Sequence, residues 1–147
     1  MKTSRRAFAL SALLALVIPF IAARPAYPQG RLSDKDLEQR IKNMNSDVKR
    51  FRSLFNSAVS KTSIRKTTQE KDAKTLVQNF QTQTSSLYEV FKRSKKSDPY
   101  LQNCLDLSAQ IDKLLQSTQF DSGTTAQWDK IKPQLKDLAV AFHVSGN

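Results

Sequence analysis

The chain has 147 residues, a net charge of +11, 39% hydrophobic residues and only 3 glycines. That length accommodates one domain, and so few glycines exclude a turn-rich β protein. One histidine and one cysteine rule out di-iron centres built from paired histidines and any disulfide within the chain.

The chain opens with a basic segment, Lys2, Arg5 and Arg6, followed by an apolar stretch from Ala7 to Ala23 broken only by Ser11 and Pro19. This pattern predicts a signal peptide over residues 1–26, cleaved after Ala23 or Ala26. The apolar stretch is short for a bilayer span, and its proline weakens it further. An uncleaved signal anchor is the alternative. Ser4-Arg5-Arg6-Ala7-Phe8 resembles the twin-arginine export motif, although Leu10 stands where a lysine often follows, so the general secretory route stays open. No cysteine lies near the cleavage region, which excludes a lipid anchor. Removal of the segment leaves 20 basic and 13 acidic residues, a net charge of +7. The expected location is extracytoplasmic, periplasmic or secreted in a bacterium, with no transmembrane span in the mature chain.

Residues 27–32, with Pro28 and Gly30, read as a flexible leader. Ser33 and Asp36 then stand at capping-box spacing. Leu37, Ile41, Met44, Val48, Phe51, Phe55 and Ala58 follow in alternating steps of four and three, the stripe of a helix packed along its whole length. The first helix is expected at about 34–60. The polar connector that follows carries Ile64, placed to cover the end of the core. Thr67 and Glu70 give a second capping box, and Ala73, Val77, Phe80, Thr84, Leu87 and Phe91 mark a helix over about 68–94. Asp98-Pro99 reads as an N-cap followed by proline at the first helical position, opening a helix over about 98–118 with Leu101, Cys104, Ile111 and Leu115 inward. Thr124 and Gln127 give a third capping spacing for a helix over about 124–143, with Trp128, Ile131, Leu135, Leu138 and Phe142 inward. Pro133 predicts a kink there, or a break near Ile131. Residues 145–147 are a tail.

Four amphipathic helices joined by short connectors predict an all-α, antiparallel up-down-up-down four-helix bundle over residues 33–144. None of them can bury its stripe alone, so the four define one core.

Residues able to carry chemistry are few. His143 falls in the last turn of the last helix, where a cation suits the helix dipole. With Met44 it forms the single combination that could ligate a haem, but Met44 lies about 15 Å from the pole that His143 occupies. No Cys-x-x-Cys-His attachment site is present. No inward pair of carboxylates and no glycine-rich phosphate loop stand out. Cys104 sits among leucines as a small hydrophobe. The expectation is therefore no catalytic, cofactor or metal site.

Charge is the most informative feature. From Asp47 to Glu70 there is no acidic residue, yet Lys49, Arg50, Arg52, Lys61, Arg65 and Lys66 fall between them. Lys92, Arg93, Lys95 and Lys96 form a second cluster. In the expected topology the two clusters occupy opposite poles, near helix C-termini, and do not make one continuous nucleic-acid groove. Export also disfavours nucleic acid as a partner, and an anionic envelope component or another envelope protein fits better; a solvated basic surface with no partner is the plainer reading of the same charges.

The segment from Trp128 to Val144 reads WDKIKPQLKDLAVAFHV. With its tryptophan, its apolar residues at helical spacing and the closing Leu-Ala-x-Ala-aromatic at Leu138, Ala139, Ala141 and Phe142, it resembles the last helix of a group of uncharacterised exported bacterial helical-bundle proteins. Leu32-Ser33-Asp34 and the signal peptide are similar as well. Pro133 departs from the pattern, and the tail ends at Ser145-Gly146-Asn147 where relatives often continue with aromatics. The resemblance implies the architecture and lends no activity. The functional expectation is a non-enzymatic exported bundle that binds or scaffolds in the cell envelope, with haem-type cofactor binding or adhesion to anionic surfaces as alternatives.

Overall fold

A computed structural model describes residues 32–97 and 99–142. Among them are four helices and no strand: α1 (Asp34–Val59), α2 (Thr68–Ser94), α3 (Tyr100–Ser117) and α4 (Ser122–Ala141). This is an all-helical protein, consistent with a helical bundle. The expected signal peptide, most of the leader, Asp98, His143 and the tail lie outside the described residues.

The predicted stripes are the buried faces. On α1, Ile41, Met44, Val48, Phe51 and Phe55 are fully enclosed, as are Val77, Phe80 and Leu87 on α2. They join Leu101, Cys104 and Ile111 of α3 and Trp128, Ile131, Leu135 and Leu138 of α4 in one core cluster. Around that core α1 packs on α2 and α4, α2 on α3, and α3 on α4. No helix among the described residues is long and apolar enough to cross a membrane.

Polar bonds across the seams set the helix registers. Between α1 and α2, Glu38 meets Lys95, Asn45 accepts from Thr84 and Ser85, and Arg52 reaches Gln78 and Gln81. Partner numbers on α2 fall as those on α1 rise. The α1–α4 seam repeats the pattern, with Arg40 at Asp137 and Asp47 at Lys130. Every buried polar side-chain atom among the described residues has a hydrogen-bond partner, so no desolvated polar group opposes packing.

Two of the three expected caps form as read. The Ser33 hydroxyl accepts from the Asp36 N–H at 3.2 Å, and the Thr67 hydroxyl from that of Glu70 at 3.4 Å. The third does not. Asp121, not Thr124, is the N-cap of α4: its Oδ1 accepts from the Thr124 N–H at 2.8 Å, and the helix starts at Ser122. Aspartate is the stronger cap, and the adjoining Phe120 is anchored by stacking on Phe55 at 5.0 Å. Gln127, freed from capping, reaches across to Asp47. The bond from the Thr124 N–H also holds the Asp121 carboxyl below its usual pKa. Asp121→Ala should cost about 1 kcal/mol, seen as a lower urea midpoint with unchanged slope; an unchanged midpoint would show that Asp121 does not hold the helix start.

Of the two alternatives at Pro133, the break near Ile131 does not occur: α4 runs through Pro133, which is on the exposed side, where the carbonyl it leaves unpaired can reach water. One more helix start needs correction. Helix α3 begins at Tyr100, with Pro99 as the N-cap residue instead of the first helical one and no side-chain cap; the Pro99 carbonyl takes the Asn103 N–H at 3.1 Å.

Candidate interaction surface

The acid-free run maps onto the second half of α1 and the connector to α2. Lys49 and Arg50 flank the buried Val48 and Phe51 and are carried outward by the helical period. The connector is tightly turned. Lys61 N–H donates to Ala58 O at 2.8 Å, Thr62 to Val59 at 3.2 Å and Thr67 to Ile64 at 3.1 Å. Ile64, 5% exposed, plugs the turn into the core, which leaves Lys61, Arg65 and Lys66 exposed around it. Lys66 adopts a left-handed conformation, φ 62°, which costs a β-carbon-bearing residue about 1–2 kcal/mol. Glu70 Oε2 accepts the Lys66 N–H at 2.6 Å and fixes that geometry.

Arg52 behaves differently from its neighbours. Its guanidinium donates to Gln81 Oε1 at 2.6 Å and to Gln78 Oε1 at 2.7 Å. It keeps its charge but bridges α1 to α2. The structure thus groups Lys61, Arg65 and Lys66 on the connector, places Lys49 and Arg50 on the adjoining helix face, and ties Arg52 into the seam. None of the other five has an ion-pair partner among the described residues. Glu70, the carboxylate that accepts the Lys66 N–H, is taken by Lys74 Nζ at 2.6 Å. The Lys74 bond, then that from the Lys66 N–H, hold its pKa low, with the Arg65 charge contributing.

The second cluster is more neutralised. Lys95 Nζ lies 2.8 Å from Glu38, and Arg93 3.8 Å from Glu89. Both Lys92 and Arg93 stand in the last turn of α2, whereas the last turn of α1 holds no cation. The dipole argument therefore applies to the second cluster alone. Lys35 and Lys42 escaped a reading based on runs of charge. They line an open groove of about 420 Å³ with Glu38, Tyr88 and Lys95. Their signal in the sequence is a period, not a run.

Charge divides unevenly around the fold. Residues 32–96, which carry α1 and α2, hold 15 basic and 7 acidic residues; residues 97–142 hold 4 and 6. Within the four-helix region, the excess of positive charge belongs to the α1–α2 half.

The interior candidates take structural places. Met44 is fully enclosed in the core. Burial pushes the Cys104 thiol up to about 12, so it carries no thiolate near neutrality and is a poor nucleophile. Searches against family models, curated proteins and solved structures return no match for this chain.

Proposed function

We propose that this chain is an exported, non-enzymatic four-helix bundle, antiparallel and up-down-up-down, which binds an anionic component of the bacterial cell envelope through the cations of α1 and the α1–α2 connector. In this reading the N-terminal segment is a signal peptide, the working location is periplasmic or secreted, and the kin are other exported helical bundles. One observation carries the binding surface: Lys49, Arg50, Lys61, Arg65 and Lys66 are exposed and lack ion-pair partners among the described residues, while the carboxylate beside them is already occupied. Cations held on a turned connector and a rigid helix need little reordering on contact. Together they attract polyanions over about a Debye length.

Acidic vesicles of phosphatidylglycerol in phosphatidylcholine test the surface. The protein should sediment with them at low salt and be released as salt rises. At about 1 kcal/mol per cation near such a surface, the variant Lys61→Glu/Arg65→Glu/Lys66→Glu should bind at least a hundredfold more weakly. Binding that ignores salt, or survives that triple reversal, would overturn the assignment.

A further inference from the structure

Lys35, Lys42 and Lys49 succeed one another at seven-residue spacing. Seven residues are nearly two full turns, so all three share one face of α1, with about 21 Å between first and last. That face borders α2. Lys35 and Lys42 line the groove with Tyr88 and Lys95, and one step further along Arg52 crosses to Gln78 and Gln81. Across the seam α2 contributes Lys92, 6.0 Å above the Tyr88 ring, and Lys74 at the connector end. The two basic clusters, remote in sequence and at opposite ends of the fold, are therefore joined by a row of cations along the α1–α2 seam. Two carboxylates on this seam are spoken for, Glu38 by Lys95 at 2.8 Å and Glu70 by Lys74 at 2.6 Å; Asp34, at the start of α1, also lines the groove and is outnumbered there by Lys35, Lys42 and Lys95. The hydrogen bond from Lys95, with the charges of Lys92 and Lys42 behind it, holds Glu38 ionised to low pH. Lys35, Lys42, Lys49 and Lys92 have no ion-pair partner among the described residues.

We propose that the α1–α2 seam binds a linear acidic polysaccharide, laid along α1 from Lys35 to Lys49 with its carboxylates against the lysine row. The inference rests on the reading above, that the α1–α2 cations are the contact surface, and names what they contact. A single row of charges spaced about 10 Å apart matches a line of anions better than a plane of headgroups. Gln78 and Gln81 accept from Arg52 through their oxygens, which leaves their amide N–H groups free to donate to sugar hydroxyls. A single-stranded nucleic acid would call for stacking platforms, and this seam offers one half-buried tyrosine. A bilayer would favour exposed apolar side chains. Among the described residues, the large hydrophobic residue that is exposed, Val140 at 68%, stands on α4, outside the seam.

The test is titration of the full chain with linear polyuronate oligomers of graded length. Oligomers long enough to reach from Lys35 to Lys49 should bind one to one, and a dimer should not. Lys42→Glu/Lys49→Glu should weaken binding by roughly tenfold or more and flatten the log–log salt dependence by about two. Lys113→Glu/Lys136→Glu, which changes net charge equally on α3 and α4, should leave the affinity within about twofold of the parent chain's at the same salt. Equal losses in the two variants would mean that net charge alone acts, and would overturn the assignment. So would tighter binding of single-stranded DNA of matched charge, or acidic vesicles bound while the oligomers are ignored. Failure to bind either vesicles or oligomers would instead bring down the broader reading as well.

Discussion

Trp128→Ala should lower stability by about 3–5 kcal/mol, the largest loss expected from any single substitution in this chain. Trp128 is 1% exposed and touches a partner on each of the other helices. Its ring centroid lies 5.0 Å from that of Phe51 on α1 and 5.4 Å from that of Phe80 on α2, the latter edge-on. Its Nε1–H donates to Asp112 Oδ1 on α3 at 2.8 Å. Truncation removes the ring contacts and the transfer free energy of an indole, and leaves a cavity that four helices would have to close by shifting together. Native domains hold only about 5–15 kcal/mol in total, so the variant should be marginal or unfolded at room temperature. Trp128→Phe separates the contributions. It keeps an aromatic ring against Phe51 and Phe80 but deprives Asp112 of its donor. Lys132, 3.5 Å from the same carboxylate, softens that loss, so about 1–2 kcal/mol is expected. Urea unfolding followed by far-UV circular dichroism measures both. A loss below about 1 kcal/mol in the alanine variant would show that the ring does not organise the core.

The stripe that locates Trp128 was legible in the sequence, because helical period and burial are the same fact seen twice. Its bond to Asp112 was not, since that requires the register of α4 against α3. The same division runs through the rest of the fold. Ser33 and Thr67 were readable as caps because each competes with no better neighbour. At α4, Thr124 has the right spacing to Gln127, but Asp121 stands three residues earlier and takes the role, and Gln127 finds its partner in α1. Local spacing cannot rank two candidates when one has an alternative tertiary partner. At Pro133 the sequence left a tolerated proline and a broken helix both open for a related reason: a proline's penalty depends on whether the freed carbonyl faces water, which periodicity alone does not reveal.

At the candidate surface, the acid-free run identified Lys61, Arg65 and Lys66 because neighbours in a tight turn stay neighbours in space. It grouped Arg52 with them although Arg52 turns into the seam, toward residues 26 and 29 positions away. Lys35 and Lys42 were passed over because charges seven apart do not look like a cluster until the helix stacks them. A run of charge reports a loop well. On a helix, the period of the charge is the better guide.

Asp47→Ala should cost about 2 kcal/mol near neutral pH, and that cost should vanish in acid. Asp47 sits on the α1 flank facing α4, its side chain 16% exposed. Lys130 Nζ donates to Oδ1 and Gln134 Nε2 to Oδ2, both at 2.8 Å, and Gln127 Nε2 donates to Oδ1 at 3.3 Å. Burial pulls the carboxyl upward, but the bonds from Lys130, Gln134 and Gln127 together outweigh it and hold the pKa below its ordinary value. The folded chain therefore binds this proton less readily than the unfolded chain does. Its contribution is present in full above the unfolded aspartate value of about 4 and is lost as pH falls through the folded value. Urea midpoints of the parent chain and Asp47→Ala should thus lie apart at neutral pH and converge in acid. Asp47→Asn retains one acceptor oxygen for Lys130 or Gln127 and should fall between the two at neutral pH. A gap between parent and alanine variant that stays constant with pH would mean that Asp47 contributes by packing alone, and that the α1–α4 register is set by the apolar stripes without its help.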